Sequence, residues 1–236
     1  MSQLVSRAIS WLGGHDLVVL AGFLIVIGGS WMFIELTDEV REGTTQKFDE
    51  TILRTLRHPD NPSRTIGPRW LAEMARDITA LGGYAFLGLL VAAVAGFLWL
   101  DGKHAAMWYL LGAVVSGFLV MVALKTIINR PRPDVVPHLS AAISTSFPSG
   151  HSMMSAVVFL TLGGLLEQLA ESRPLKFYFL SVALFLSLIV GASRVYMGVH
   201  YPTDVLAGWT GGLVWSTICV LLMRLLQRRA KIEKGL

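Results

Sequence analysis

The sequence predicts an all-α membrane protein with six transmembrane helices, and three observations carry that prediction. Of the 236 residues, 53% are hydrophobic and 15% charged, against roughly 25% charged in an average soluble chain. Charge is absent from six stretches: Leu17 to Ile34, Gly83 to Leu100, Ala105 to Leu124, Ser152 to Leu166, Phe177 to Ser193 and Val205 to Met223. Most approach the ~20 residues that a helix needs to cross hydrocarbon. All nine prolines fall outside them, as expected where lipid offers no partner for a backbone group left unpaired.

The first stretch follows a segment carrying Arg7, which resembles the charged start of a signal peptide. It is long for a signal core, and Glu35, Thr37, Asp38 and Glu39 do not make a small-residue cleavage site, so a retained span is expected. The connection over 37–82 is long for a loop without structure of its own. Phe48, Ile52, Leu53 and Leu56 share one helical face, and Trp70, Leu71, Met74, Ile78 and Leu81 another, with Pro59, Pro62 and Pro68 between them. This pattern predicts two interfacial helices that cap the bundle end or guide a lipid into it. The second and third spans meet at a turn over Asp101 to His104, and the fourth reaches Ala170 if Glu167 lies at the far interface. Pro202 suits the first turn of the sixth span. No repeat or low-complexity tract divides the chain, so 1–236 reads as a single integral-membrane domain with its polar motifs over 125–204.

Six spans leave residues 1–16, the turns at Asp101 to His104 and Glu171 to Lys176, and the C-terminal tail on one side. The tail carries Arg224, Arg228, Arg229, Lys231 and Lys234 against Glu233 alone. The positive-inside rule therefore places both termini in the cytoplasm, and the 37–82, 125–150 and 194–204 connections on the outer, periplasmic face of a cell inner membrane. The net charge of +4 arises from scattered cations, which form no sustained basic face for nucleic acid. Cys219 is the one cysteine, so neither an intrachain disulfide nor a thiolate metal cluster is available.

Three polar strings end on that outer face. In Lys125-Thr-Ile-Ile-Asn-Arg-Pro-Arg132-Pro133, a cation at a helix end precedes arginines in a proline-stiffened loop. An arginine fork grips two phosphate oxygens, whereas lysine acts as a mobile point charge. Ser146-Phe-Pro148-Ser149-Gly150-His151 opens the fourth span. A helix start offers free N–H groups, and glycine allows close approach to an anion. Either Ser146 or Ser149 can serve as its cap. Ser193-Arg194-Val-Tyr-Met-Gly-Val-His200-Tyr-Pro202-Thr-Asp204 adds a third cation and a histidine with a carboxylate four positions on. Asp204 can accept the proton of one imidazole nitrogen and leave the other free to attack phosphorus.

In that order and at those spacings, Lys-x6-Arg-Pro, Pro-Ser-Gly-His and Ser-Arg-x5-His-x3-Asp resemble the signature of the type 2 phosphatidic acid phosphatase superfamily. The six-residue spacing from Lys125 selects Arg132 over Arg130. The resemblance implies a helical core shared with vanadium-dependent haloperoxidases and a metal-independent phosphatase, without cofactor, that works through a phosphohistidine. It further implies His200 as nucleophile, Asp204 as its orienting group and His151 as the acid that protonates the leaving group. Lys125, Arg132, Ser149, Gly150 and Arg194 would hold the phosphate. The chemistry of the residues agrees, because attack on phosphorus builds negative charge that preorganised cations and N–H groups stabilise.

The expected substrate is a lipid phosphate or diphosphate: phosphatidic acid, phosphatidylglycerol phosphate, undecaprenyl diphosphate or a lipid A phosphate. Nothing in the motifs chooses among them or calls for an obligate protein partner. A lipid phosphotransferase built on the same site is an alternative. An anion-binding transporter is another, disfavoured because no span carries a central charge or proline break. A metallohydrolase on His151, His200 and Asp204 would set a divalent cation among three basic side chains.

Overall fold

The computed structural model describes residues 17–140 and 144–233. Arg7 and Lys234, which enter the reading of the termini, lie outside the described residues. The chain forms α1 (Leu17–Glu42), α2 (Gln46–Thr55), β1 (Arg57–His58), β2 (Asn61–Thr65), α3 (Arg69–Leu81), α4 (Tyr84–Leu100), α5 (His104–Ile128), α6 (Gly150–Leu169), α7 (Arg173–Tyr196) and α8 (Pro202–Glu233). Helix ends follow local chemistry. Asn129 takes the left-handed conformation, φ 46°, and its N–H bonds the Lys125 carbonyl at 3.1 Å, closing α5 just before Arg130-Pro131. Ser149, not Ser146, caps α6 by accepting from the Ser152 N–H.

The helices are apolar enough for lipid. α1, α5, α6, α7 and α8 each contain a stretch long and hydrophobic enough to cross a membrane, and α3 with α4 makes a sixth that bends by 47° across Gly82 and Gly83. Large apolar side chains such as Trp31, Leu89, Phe97, Trp108 and Phe177 face outward. In water such a surface would aggregate, and in a bilayer it is solvated. α6 is central, with 56% of its most apolar window buried against 6% for α1. It packs on α4, α5, α7 and α8, while α1 lies along α8. Leu87, Leu110, Met121, Val158 and Val190 fill the core between α4, α5, α6 and α7.

Two features differ from expectation. The segment over 70–81 continues into the second span as the outer arm of a bent helix pair. The bend brings Gly82 against α7, where an added Cβ would stand 2.3 Å from Val190 Cγ1. A two-stranded antiparallel hairpin, with Arg57 opposite Thr65 and His58 opposite Asn61, fills the proline-rich gap between α2 and α3. Pro59 lies in its turn, and Pro62 is accommodated because both strands are edges.

Close packing of α8 on α6 sets the spacing of everything at the motif end. A Cβ at Gly208 would stand 2.8 Å from the Ser149 carbonyl oxygen, and one at Gly212 would stand 2.7 Å from that of Met153. Small residues let membrane helices approach this closely. Gly208→Ala is expected to destabilise the detergent-solubilised protein by about 1–3 kcal/mol through overpacking and to lower its activity. Gly88→Ala has nothing within 4 Å to meet and is expected to be neutral. Heat-induced aggregation of the two variants measures the difference.

Candidate active site

Because α5 to α8 alternate in direction, the C-termini of α5 and α7 and the N-termini of α6 and α8 meet at one end. The Ser149 N–H donates to the Asp204 carbonyl at 2.9 Å, joining the starts of α6 and α8. Three small apolar clusters fix the connecting loops: Phe147 against Val40 and Ala207, Tyr201 against Leu53 and Val136, and Met197 and Val199 against Ala75. The apolar residues of the motif strings are thus anchors, and the polar residues between them are aimed at one another.

His200 is almost fully buried, and each ring nitrogen has a different neighbour. On one side, Arg132 Nη1 approaches Nε2 at 3.2 Å. A guanidinium can only donate, so Nε2 is the accepting nitrogen and the proton sits on Nδ1. On the other side, Nδ1 lies 3.5 Å from Asp204 Oδ2 and 3.4 Å from Ser146 Oγ. Ser146 itself donates a very short hydrogen bond to Asp204 Oδ2, and the Tyr201 N–H donates to the same oxygen at 2.9 Å. The imidazole is held with its proton toward the carboxylate and its lone pair toward the cations. Burial pushes the His200 pKa down to about 3, although the Asp204 carboxylate pulls it the other way.

The cations divide into two kinds. Lys125 Nζ donates to the Thr145 carbonyl at 2.6 Å, and Arg194 Nη1 donates to Thr79 Oγ1 at 3.0 Å, with Nε left unpartnered. Arg132 donates to the Ser144 carbonyl at 2.6 Å and to the Val199 carbonyl at 2.7 Å. Among the described residues, all three bond only neutral oxygens or the imidazole. Arg130, by contrast, forms ion pairs with Asp204 at 2.7 Å and Asp49 at 2.8 Å. Burial opposes the Arg130 charge, and the carboxylates of Asp204 and Asp49 more than offset it, so its pKa is raised. The charge still free to meet an anion belongs to Arg132, which gives the six-residue spacing a physical basis.

Gly150 begins α6 directly beside Lys125, and a Cβ there would stand 2.5 Å from the Tyr84 hydroxyl and 3.4 Å from Lys125 Cε. The Ser149 hydroxyl accepts from the Ser152 N–H and from Ser152 Oγ, which leaves its own O–H as the group it can offer. His151 is half-buried, with its ring 6.0 Å from that of Tyr84. A Cβ on Gly82 would lie 3.4 Å from His151 Cβ, so the bend between α3 and α4 forms the wall behind this histidine. Among the described residues, no group of three or more His, Cys, Asp or Glu is arranged to hold a metal ion.

This arrangement has counterparts among known proteins. Residues 105–228, more than half of the chain and including all three polar strings, match the PAP2 superfamily. The chain belongs to that family. Phosphatidylglycerophosphatase B of Bacillus subtilis is 32% identical over 189 residues, covering 77% of this chain and 86% of that one. The crystal structure of a transmembrane PAP2-type phosphatidylglycerolphosphate phosphatase from Bacillus subtilis is similar over 83% of this chain and 94% of that chain, with a TM-score of 0.73 and 30% identity. A lipid A 1-phosphatase of Rhizobium etli is 33% identical over 124 residues, and this chain spans about half of its length, 49%. As a PAP2 member, the chain is a multi-pass membrane phosphatase that acts on phosphate esters.

All eight site residues expected from the PAP2 motifs are drawn to this one end of the bundle. Sequence reasoning missed four of their neighbours: Ser146 as a direct partner of Asp204, and Thr79, Gly82 and Tyr84 from the bend between α3 and α4. Ser146 was visible as a polar residue in a motif string. The other three sit in a stretch whose apolar periodicity dominates, and no local signal marks them.

An imidazole is nucleophilic only when neutral, and burial favours that form of His200. With a folded pKa below the ordinary 6.5, it stays neutral as pH falls through the range where a free histidine would protonate. The acid limb of kcat/KM, after allowance for ionisation of the substrate, is expected below pH ~5. A limb centred near the ordinary histidine value that disappears in His200 variants would contradict this reading.

Proposed function

We propose that the whole chain, 1–236, acts as one membrane-embedded unit that hydrolyses a phosphomonoester or diphosphate on a lipid headgroup through a phosphohistidine. The observation that carries this reading is the His200 ring, with Nε2 toward Arg132 at 3.2 Å and Nδ1 backed by Asp204. Lys125, Arg132, Arg194, the Ser149 hydroxyl and the Gly150 N–H receive the phosphate and take up its developing charge. The Nε2 lone pair forms a bond to phosphorus while the bond to the leaving oxygen breaks, and His151 delivers a proton to that oxygen. Asp204 stabilises the positive imidazole. Water then attacks phosphorus as His151 takes up its proton, the P–N bond breaks, inorganic phosphate leaves, and His200 returns to its starting tautomer. No step calls for a metal ion.

The chemistry takes place at the outer face of a cell inner membrane, with both termini cytoplasmic, by the charge pattern of the loops and tail. α2 and the outer end of α3 lie at the interface on that side. A lipid substrate fits the surroundings of the site. A cavity of about 180 Å³, lined by Ser30, Phe33, Val120, Leu124, Met153 and Val214, opens between α1, α5 and α8. Leu124 and Met153 place this cavity near the motif end of α5 and α6, where an acyl or prenyl chain of a substrate is proposed to lie. Phosphatidylglycerol phosphate leads the candidate substrates because the Bacillus subtilis relatives named for it match most of both chains. Phosphatidic acid, undecaprenyl diphosphate and lipid A phosphate follow.

Phosphate release from these four lipids in mixed micelles, with no acceptor and with excess chelator, tests hydrolysis, substrate and metal independence together. His200→Ala is expected to abolish release from a folded protein, and near-normal turnover in that variant rules out the covalent route. Asp204→Asn is expected to lose roughly 10²-fold, the scale of losing a preorganised catalytic partner.

Ser30→Trp tests the lipid cavity. It is expected to slow turnover of long-chain substrate while sparing a short, water-soluble phosphomonoester. Equal loss on both would detach the cavity from substrate binding. For sidedness, a cysteine at position 140 in a Cys219→Ser background is expected to react with an impermeant thiol reagent outside spheroplasts. A cysteine at position 172 is expected to react only after permeabilisation, and the reverse pattern inverts the topology.

A further inference from the structure

Behind Asp204, on the side away from the cation cradle, lies a buried polar network that none of the three motif strings explains. Asp49 is fully buried on α2, among neighbours that face outward, such as Phe48. Its Oδ2 accepts from Arg130 Nη2 at 2.8 Å and from the Thr203 hydroxyl at 2.6 Å. Its Oδ1 accepts from the Thr203 N–H at 3.1 Å, in the first turn of α8. Arg130 Nη1 in turn donates to Thr203 Oγ1 at 2.8 Å and to Asp204 Oδ1 at 2.7 Å. Gln46 closes the far edge: its carbonyl oxygen accepts from Arg130 Nη2 at 3.3 Å, and its amide donates to the Tyr201 hydroxyl at 3.1 Å. The Arg130 guanidinium also stacks on the Tyr201 ring, 4.2 Å from its centroid.

Packing alone does not call for this arrangement. Taking two carboxylates and a guanidinium out of water costs several kcal/mol per ion before their attraction offsets it. An apolar cluster would fill the same space at less cost. What the network supplies is direction. Asp204 Oδ1 is held by Arg130 while Oδ2 serves Ser146, Tyr201 and the His200 side, so the carboxylate cannot rotate without breaking a charged hydrogen bond. Asp49 fixes both the arginine fork and the first turn of the helix that carries Asp204.

We propose that Asp49 and Arg130 are positioning residues for the hydrolysis, acting together through Asp204 to hold the His200 nucleophile in line with the cradle. This rests on His200 being the nucleophile. Neither side chain lies in the cradle with Lys125, Arg132 and Arg194, so their removal is expected to slow chemistry and leave anion binding in place. It also gives α2 a defined part in catalysis, because Asp49 reaches α8 across 154 positions of sequence.

The test separates kcat from anion binding. Purified Asp49→Asn and Arg130→Lys, with wild type, His200→Ala and Asp204→Asn, are assayed for phosphate release from phosphatidylglycerol phosphate and for inhibition by vanadate. The lysine keeps its charge but lacks the planar fork that reaches Asp49, Thr203 and Asp204 at fixed angles. Both variants are expected to lose on the order of 10- to 100-fold in kcat, the range seen when a partner that orients a reacting group is removed, with the vanadate inhibition constant within about 3-fold of wild type. Because Asp49 acts through Asp204, Asp49→Asn in the Asp204→Asn background is expected to cost at most about 3-fold more.

Wild-type kcat in Asp49→Asn overturns the proposal. So does an equal further loss in the Asp204→Asn background, or a parallel weakening of vanadate binding, each of which would mark a general structural role. If Asp49→Asn does not fold, Thr203→Val removes the shared hydroxyl while both ion pairs remain, and the same separation of kcat from vanadate binding decides the matter. Activity in His200→Ala would instead overturn the covalent mechanism on which the proposal rests, so the two failures are distinct.

Discussion

A carboxylate without access to water needs a donor on every side, and Asp204 finds one from each element that meets at the motif end. Arg130 comes from the loop after α5, Ser146 from the string before α6 and the Tyr201 N–H from the approach to α8. The Asp204 main chain takes part as well, accepting the N–H of Ser149 at the cap of α6. Remove that carboxylate and the three loops lose their common point of attachment. The placement of His200, the opening turn of α6 and the fork of Arg130 all follow from satisfying one buried charge in an apolar bundle.

The same principle explains why charge is distributed unevenly around the pocket. Arg130 has two carboxylate partners and is electrically spent. Lys125, Arg132 and Arg194 bond carbonyls, a hydroxyl and an imidazole, which orient them without cancelling their charge. The division between a cation paired with carboxylates and cations held by neutral acceptors is visible only when the partners of each are known.

Much of this architecture was legible in the sequence. Six uncharged stretches gave the helices, and their parity gave the common end for Lys125, His151, Arg194, His200 and Asp204. These are local properties, fixed by composition and spacing along one segment. What was not legible depends on contacts between distant segments. Asp49 is one acid among the many charges of residues 37–82, and nothing near it marks it as buried. Thr79, Gly82 and Tyr84 belong to a helix pair whose bend is set by packing on α7. The hairpin over 57–65 is too short to leave a strand pattern, and Pro59 and Pro62 read as breaks between helices. The Arg-Pro repeat at 130–133 named two candidate arginines, and only the neighbours of each assign them.

Among the described residues, Lys125, Arg132 and Arg194 have no carboxylate partner, and this has a thermodynamic consequence. Like charges crowded into a mostly buried pocket repel one another, so this cluster opposes folding. An anion that enters relieves this strain, and by mass action any such ligand favours the folded form over the unfolded one. Inorganic phosphate carries the same kind of charged oxygens as a phosphate ester. By that linkage, any anion that binds these cations raises resistance to heat, and a substitution that weakens its binding lowers the gain.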